Sequence, residues 1–353
     1  MSTLQISLAV AGLLVLAGVV AHSAWSSRKS RPKQATPEAV PAQEPSFMSS
    51  RVGDDPFEAR QEPGFDSGLD ALASLTAPER KPGLDALIDV IAPVAVDSVV
   101  SGEAALAAMP ATRRAGSKPF AVEGLNVETG EWELPMAGWR YGAFQAGVQL
   151  ANRTGALNQI EYSEFVMKAQ AFADAVNGEP EFPEMHDEVA RARELDQFAS
   201  AHDAQLGFTL RAINTAWSPG YVQQSAARQG FVVGSIPGRM VLPATQPGQA
   251  PILGLAFDPQ AAMADDPEQT ALRELTLSLD VPQVARSEQP FARMCQAAMA
   301  LAASMDGVIT DDNGSPIRSE AMEVINEDLE QLYDTLDGRE LSAGSVLGRR
   351  LFS

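Results

Sequence analysis

The sequence predicts an α+β fold: a split β-α-β antiparallel sheet with helices on one face, in two tandem related copies. One N-terminal transmembrane helix and a disordered linker are expected to precede these copies. Three observations support the prediction: a charge-free apolar segment at the N-terminus, a Pro/Gln/Glu-rich stretch after it, and an order of strand and helix signals that occurs twice.

The apolar segment runs from Leu4 to Trp25 and is long enough to cross a bilayer as a helix. Four basic residues follow it as a membrane stop: Arg28, Lys29, Arg31 and Lys33. Because basic residues beside a span stay in the cytoplasm, we expect an anchor over residues 1–25 with the N-terminus outside the inner membrane. The alternative is a signal peptide cut near Ala24, although its positive charge would then follow the apolar run instead of preceding it.

Residues 26–83 are predicted to form the linker, because they begin basic and are then rich in Pro, Gln, Glu, Ser and Ala. The whole chain carries 46 acidic against 26 basic residues, a net charge of −20. Nucleic acid is therefore excluded as a partner, since phosphate binding needs concentrated Lys and Arg. Like charge should also keep the acidic domain away from anionic lipid.

A sequence repeat divides the remaining chain. Residues 165–178 align with residues 294–307, with three alanines and the final glycine in common, and both segments read as amphipathic helices. We expect each to end on its glycine, Gly178 or Gly307, in a left-handed conformation. The repeat predicts copies at residues 84–203 and 204–338 and a C-terminal tail at 339–353; chance alignment of alanine-rich helices is the alternative.

Each copy is expected to run strand, helix, strand, strand, strand, helix. The first copy begins with a strand at residues 87–96, and its long helix begins with a capping box formed by Asn158 and Glu161. In the second copy a strand at residues 206–213 leads to a helix that starts with Ser218 and Pro219. A single further strand is predicted over residues 231–242.

No motif in the chain supports catalysis, a cofactor, a metal ion or a small-molecule substrate. The three histidines are far in sequence from the only cysteine, Cys295, and no zinc spacing, nucleophile elbow or phosphate loop occurs. Cys295 lies on an alanine-rich helix and is interpreted as a small core residue. The residues therefore predict a protein that is not an enzyme.

The layout resembles that of the ZipA family, bacterial division proteins of the inner membrane that bind the ring protein FtsZ. The most specific part lies in the second copy, where LSLDVPQ, FARMCQAAMALAASMDG and the segment GVITDDNGSPIRSEAMEVINEDLEQLYDTL follow the family's C-terminal domain in order and character. The resemblance implies a cytoplasmic domain at the division site that binds the FtsZ C-terminal peptide in a shallow apolar groove on its sheet. Carried over by position, the groove residues are Thr209, Ile236, Met240, Gly254, Ala256 and Ser278.

This chain departs from the family pattern, because Thr209, Asp258 and Ser278 are polar where the family presents apolar side chains. The peptide could be held by more polar contacts, or the binding surface could lie on the first copy or between the copies. Two other functions stay open: a membrane-anchored scaffold for another division or envelope protein, and a periplasmic hydrolase or sensor.

Overall fold

The computed structural model describes residues 32–35, 83–266, 270–311 and 314–353. In these residues the chain forms an α+β protein with two six-stranded sheets, and every pairing between named strands of the sheets is antiparallel. The predicted fold class is confirmed to this extent. The predicted transmembrane anchor falls outside the described residues, and none of the helices within them is both long and apolar enough to cross a membrane.

The first sheet has the strand order β2-β3-β5-β1-β8, with β4 paired to β3. Its strands are β1 (Asp89–Ser101), β2 (Arg114–Ala115), β3 (Lys118–Asn126), β4 (Trp132–Glu133), β5 (Arg140–Gln149) and β8 (Gly178–Pro180). A small hairpin, β6 (Ala151–Asn152) with β7 (Gly155–Ala156), follows β5. The helices of this half are α1 (Gly102–Ala108), α2 (Gln159–Ala175) and α3 (Met185–His202).

The second sheet has the order β10-β11-β12-β13-β9-β14. Its strands are β9 (Gln205–Ala212), β10 (Val232–Val233), β11 (Arg239–Leu242), β12 (Leu253–Ala256), β13 (Glu274–Asp280) and β14 (Gly307–Thr310). The remaining helices are α4 (Pro219–Ala227), α5 (Pro259–Ala262), α6 (Pro290–Met305), α7 (Ser319–Asp337) and α8 (Val346–Leu351).

One long helix packs on one face of each sheet. In the first half, the Phe144 ring on β5 meets the Phe172 ring on α2 edge to face at 5.2 Å. In the second half, Phe208 on β9 contacts Phe291 on α6, with ring centroids 6.2 Å apart. Alternate strand residues are buried beneath these helices, as predicted from the period-2 pattern.

Helix α2 starts as the sequence indicates, and both long helices end one residue earlier than expected. The capping box of Asn158 and Glu161 is present at the start of α2. The left-handed residues at the helix ends are Asn177 (φ 54°) and Asp306 (φ 59°), not the glycines that follow. Gly178 instead begins β8, where a β-carbon would come within 2.8 Å of the Ala95 carbonyl oxygen. These glycines therefore serve close strand packing, which a helix-end pattern cannot distinguish from a helix stop.

The predicted single strand over residues 231–242 is wrong. The segment forms a hairpin in which Val232 pairs with Val241 and Val233 pairs with Met240. Gly238 turns the chain with φ 75°, and a β-carbon there would come within 2.6 Å of the Phe257 carbonyl oxygen. The turn thus depends on a tertiary contact with a residue beyond β12.

The C-terminal residues form a buried helix between the two halves. Leu351 and Phe352 are fully buried, and Arg350 donates from Nη2 to the Asp89 carboxylate at 2.5 Å. The Nε2 atom of Gln149 donates to the Arg350 carbonyl at 2.8 Å, and the Nε2 atom of Gln283 donates to the Phe352 carbonyl at 2.7 Å. Helix α8 therefore joins β1 and β5 of the first half to a short 3-10 turn of the second.

We predict that Arg350→Ala lowers the free energy of unfolding by about 3 kcal/mol, because it leaves the buried Asp89 carboxylate without its cation. Burial raises the pKa of Asp89 in the folded protein in spite of Arg350, so the folded state keeps this proton at higher pH than the unfolded chain. Protonated Asp89 carries no charge, so its burial is not penalised by the absence of the guanidinium. The loss caused by Arg350→Ala should therefore shrink as the pH is lowered through that folded-state pKa.

Urea unfolding at several pH values measures both effects. The control is Arg349→Ala, which removes a neighbouring guanidinium that donates to Gln249 and should cost about 1 kcal/mol or less. Equal losses of stability for the two variants would contradict the assignment of Arg350 as the residue that stabilises the buried Asp89 carboxylate.

Candidate functional site

The face of the second sheet that is turned away from α6 carries small side chains in register. One row across the strands is Gly254, Ser278 and Gly207, and the next is Ala256, Thr276 and Thr209. Ser278, Thr276 and Gly207 are exposed, while Gly254, Ala256 and Thr209 are half-buried. We call these six residues the small-residue face. It is a shallow floor that the backbone of a bound chain could approach closely.

Apolar side chains of the β10–β11 hairpin border the small-residue face. Val241 stands beside Gly254 in the ladder, and its partner Val232 is 50% exposed. Ile236, in the turn of the hairpin, is 54% exposed. An exposed group of β-branched residues at the edge of a flat floor is typical of a protein-binding surface.

Two arginines flank the small-residue face. Arg239 lies opposite Ala256 on β11 and is exposed. Arg211 follows the Thr209 row on β9, and its Nε atom lies 3.5 Å from the Glu274 carboxylate in an exposed pair. Arg211 is thus already paired with Glu274, whereas the exposed guanidinium of Arg239 on the opposite side of the face is available to a carboxylate of a bound peptide, which an otherwise acidic chain would repel.

The structure places five of the six predicted groove residues at this surface. Thr209, Gly254, Ala256 and Ser278 belong to the small-residue face, and Ile236 lies on its border. Met240 does not: it is 2% exposed, pairs with Leu255 and points toward the helices. The inserted hairpin turn sets the register so that the neighbours of Met240, Arg239 and Val241, face outward instead.

Asp258, which the family resemblance aligned with an apolar groove position, lies beyond the end of β12. Its carboxylate accepts from the backbone N–H of Gln260 at 2.9 Å and caps α5. Sequence reasoning also missed Thr276, and it placed the first-strand position only within residues 205–209, a range that includes Gly207. Alternation with the buried residues Leu275, Leu277 and Phe208 was the signal that could have found them.

The corresponding face of the first sheet is partly covered. The Leu84 side chain packs directly on Gly147, where a β-carbon would come within 2.5 Å of Leu84 Cδ2. The Leu84 backbone N–H donates to Glu123 at 3.0 Å, and Gln145 donates to the same carboxylate at 2.8 Å. The chain that enters the first sheet thus occupies the centre of that face.

Of the predicted membrane-stop residues, only Lys33 is described, and it contacts the folded protein. Its Nζ atom donates to the Met305 carbonyl at 2.9 Å, at the C-terminal end of α6. Arg28, Lys29 and Arg31 lie outside the described residues.

Groups that could support catalysis are dispersed in the described part of the chain. No group of three or more His, Cys, Asp or Glu residues is placed there to hold a metal ion. Cys295 is half-buried and free, and burial raises the pKa of its thiol. A cleft of about 210 Å³ lies near Asp196, but Arg153 beside it is already engaged by Asp203 and Asp280.

Truncation of a buried side chain on β11 should lower the free energy of unfolding more than truncation of an exposed side chain in the hairpin turn. Met240→Ala should lower the free energy of unfolding by about 2–4 kcal/mol, because it opens a cavity in the core. Ile236→Ala should change it by less than about 0.5 kcal/mol, since that side chain is exposed. Denaturant unfolding of both variants checks the register, and a larger loss for Ile236→Ala would contradict it.

Residues 258–328 match the model of a protein family described as ZipA, C-terminal FtsZ-binding domain. The matched range spans α5, β13, α6, β14 and the first part of α7, so it includes Ser278 and Thr276 of the small-residue face and the helix that packs beneath it. No curated protein sequence matches the chain. Of the second sheet, the match includes only β13 and β14, and it does not confirm the predicted duplication. The match to the ZipA family confirms, for residues 258–328, the resemblance predicted from the sequence.

Proposed function

We propose that this protein is a cell-division adaptor that binds the C-terminal peptide of FtsZ on the small-residue face and attaches FtsZ filaments to the inner membrane. The observation that carries the proposal is the match to the FtsZ-binding domain of ZipA over residues 258–328, together with an open sheet face in the same half of the molecule. The matched family is a protein-binding domain, so the function requires no catalysis.

The surface suits a short peptide that lies across the strands. The exposed Gly207 leaves room for close backbone approach, whereas the Ser278 hydroxyl lies over Gly254, where a β-carbon would come within 2.6 Å of it. The hydroxyl groups of Ser278, Thr276 and Thr209 can exchange hydrogen bonds with the peptide backbone. Ile236, Val232 and Val241 offer apolar contact to a side chain of the peptide. Polar contacts thus take over part of the role that apolar side chains have in the family groove.

Affinity and multiplicity together would produce attachment. A micromolar site corresponds to about 8 kcal/mol. A filament displays many copies of one peptide, and many anchored adaptors on one membrane surface convert such weak contacts into stable attachment.

We further propose that the two halves are related copies. In both sheets the first strand lies between the strand before the long helix and the short strand after it, in the orders β5-β1-β8 and β13-β9-β14. Both long helices end with a left-handed polar residue followed by a glycine, at Asn177-Gly178 and Asp306-Gly307. When the two halves are aligned on these helix-end junctions, the small-residue face corresponds to the part of the first sheet that Leu84 and Glu123 occupy. This correspondence supports the second half as the binding half.

We expect Ile236→Glu and Ala256→Glu each to weaken FtsZ peptide binding at least about tenfold, or 1.4 kcal/mol, by placing a charge on the apolar border or the floor. Fluorescence anisotropy of the labelled peptide, titrated with the full chain in detergent micelles, measures this. The matched control is Ala95→Glu, an exposed position on the open face of the first sheet, which should bind normally. Loss of binding in Ala95→Glu alone would move the site to the first half.

Membrane attachment is predicted to depend on the apolar segment of residues 4–25. The full chain should float with liposomes in a density gradient, and a chain that lacks residues 1–27 should not. A fluorescent protein fused after Ser353 should be active, and alkaline phosphatase at the same place should be inactive, because the C-terminus is expected in the cytoplasm. The opposite reporter pattern would contradict the adaptor and favour a periplasmic protein.

A further inference from the structure

Residues 32–35 form a short extended segment that pairs with the folded protein. The backbone N–H of Lys33 donates to the Ala216 carbonyl at 2.7 Å, and the Lys33 carbonyl accepts from the Ser218 N–H at 2.8 Å. This is a parallel bridge between Lys33 and Trp217. Trp217 is paired on its other side to Leu272 by two hydrogen bonds of 2.8 Å. The segment is therefore the outer strand of a small three-part ladder.

The Lys33 side chain strengthens this contact at the end of α6. The Met305 carbonyl accepts from Lys33 Nζ at 2.9 Å and from Trp217 Nε1 at 2.8 Å. The last carbonyls of a helix have no partner within the helix and carry partial negative charge, so an ammonium group is favourable there. Trp217 is fully buried, so this acceptor lies against the core.

We propose that residues 32–35 are a docking strand that fixes the folded protein beside the membrane. The distance between the bilayer and the folded protein is then set by the residues before Lys33, not by the segment between residues 35 and 83. This inference rests on the anchoring part of the proposed function. Only seven residues separate Trp25 from Lys33, and they span at most about 25 Å. If the first attachment were Gly83, the chain between Trp25 and that residue could span up to about 200 Å when fully extended.

The docking strand changes the expected role of Lys33. The sequence assigned this residue to the membrane stop, where its charge would face lipid headgroups. In the structure its ammonium group binds a helix end, and its backbone bonds hold an acidic protein near an acidic surface that would otherwise repel it. A captured peptide would then be held at a fixed short distance from the bilayer.

Energy transfer in nanodiscs tests the distance. The full chain carries Cys295→Ala and a donor dye on Ile213→Cys, an exposed position near the docking strand, with acceptor dye on the lipid headgroups. A docked chain gives the same transfer efficiency with or without residues 40–77. In Lys33→Pro, which removes the backbone N–H and the ammonium group, efficiency should fall, and the deletion of residues 40–77 should restore it.

Two control variants isolate the contact. Lys29→Pro makes the same change four residues earlier, outside the docking strand, and should leave the efficiency unchanged. Lys33→Gln keeps both backbone hydrogen bonds and should lose less efficiency than Lys33→Pro. If the deletion changes the efficiency of the unsubstituted chain as much as that of Lys33→Pro, the proposal is overturned.

Amide exchange of Ser218 tests docking without a membrane, since this N–H donates to the Lys33 carbonyl. In detergent-solubilised full chain, NMR should detect at least about tenfold faster exchange of Ser218 in Lys33→Pro than in Lys29→Pro. Equal rates would overturn the docking strand. A chain that docks by this measure but fails to float with liposomes would contradict the anchor alone, so the two failures are distinguishable.

Discussion

The burial of one face of each sheet under a single long helix is the constraint on which the rest of this structure depends. Alanines at the centre of each helix, Ala169 in α2 and Ala298 in α6, are fully buried and let the helix lie close to the strands. Larger residues such as Phe172 and Leu301 fill the space between. Since an antiparallel sheet needs only one face buried by helices, this arrangement leaves a second face of each sheet that its long helix does not cover.

These two faces have different surroundings, and that difference supports the second sheet as the proposed binding surface. The chain enters the first sheet through Leu84, which packs on Gly147, and the Glu123 carboxylate is satisfied beneath it. The second sheet is entered from α3, and no described residue covers the small-residue face in the same way. The hairpin that borders this face supplies the exposed apolar side chains that the floor itself lacks.

Long-range polar contacts join segments that are remote in sequence to these two layers. Helix α8 reaches Asp89, Gln149 and a turn of the second half, while the docking strand reaches Trp217 and the end of α6. In both cases a basic side chain meets either a buried carboxylate or a helix C-terminus, which are the acceptors that benefit most from positive charge. Arg350 and Lys33 thus hold segments that are remote in sequence to the core.

The sequence by itself determined the α+β class, the capping box of α2, the start of α4 at Ser218 and Pro219, and the buried strand residues, because these depend on local propensity and period. It also indicated the resemblance to the ZipA family that the match over residues 258–328 supports, and it named five residues of the proposed binding surface or its border. Only the tertiary structure decided the outward register of Arg239 and Val241 in place of Met240, because a hairpin turn that depends on Phe257 sets it. The same holds for the contacts of Arg350 in α8 with Asp89 and of Lys33 with Met305, because each pair is separated by more than 250 residues in the chain and leaves no periodic signal.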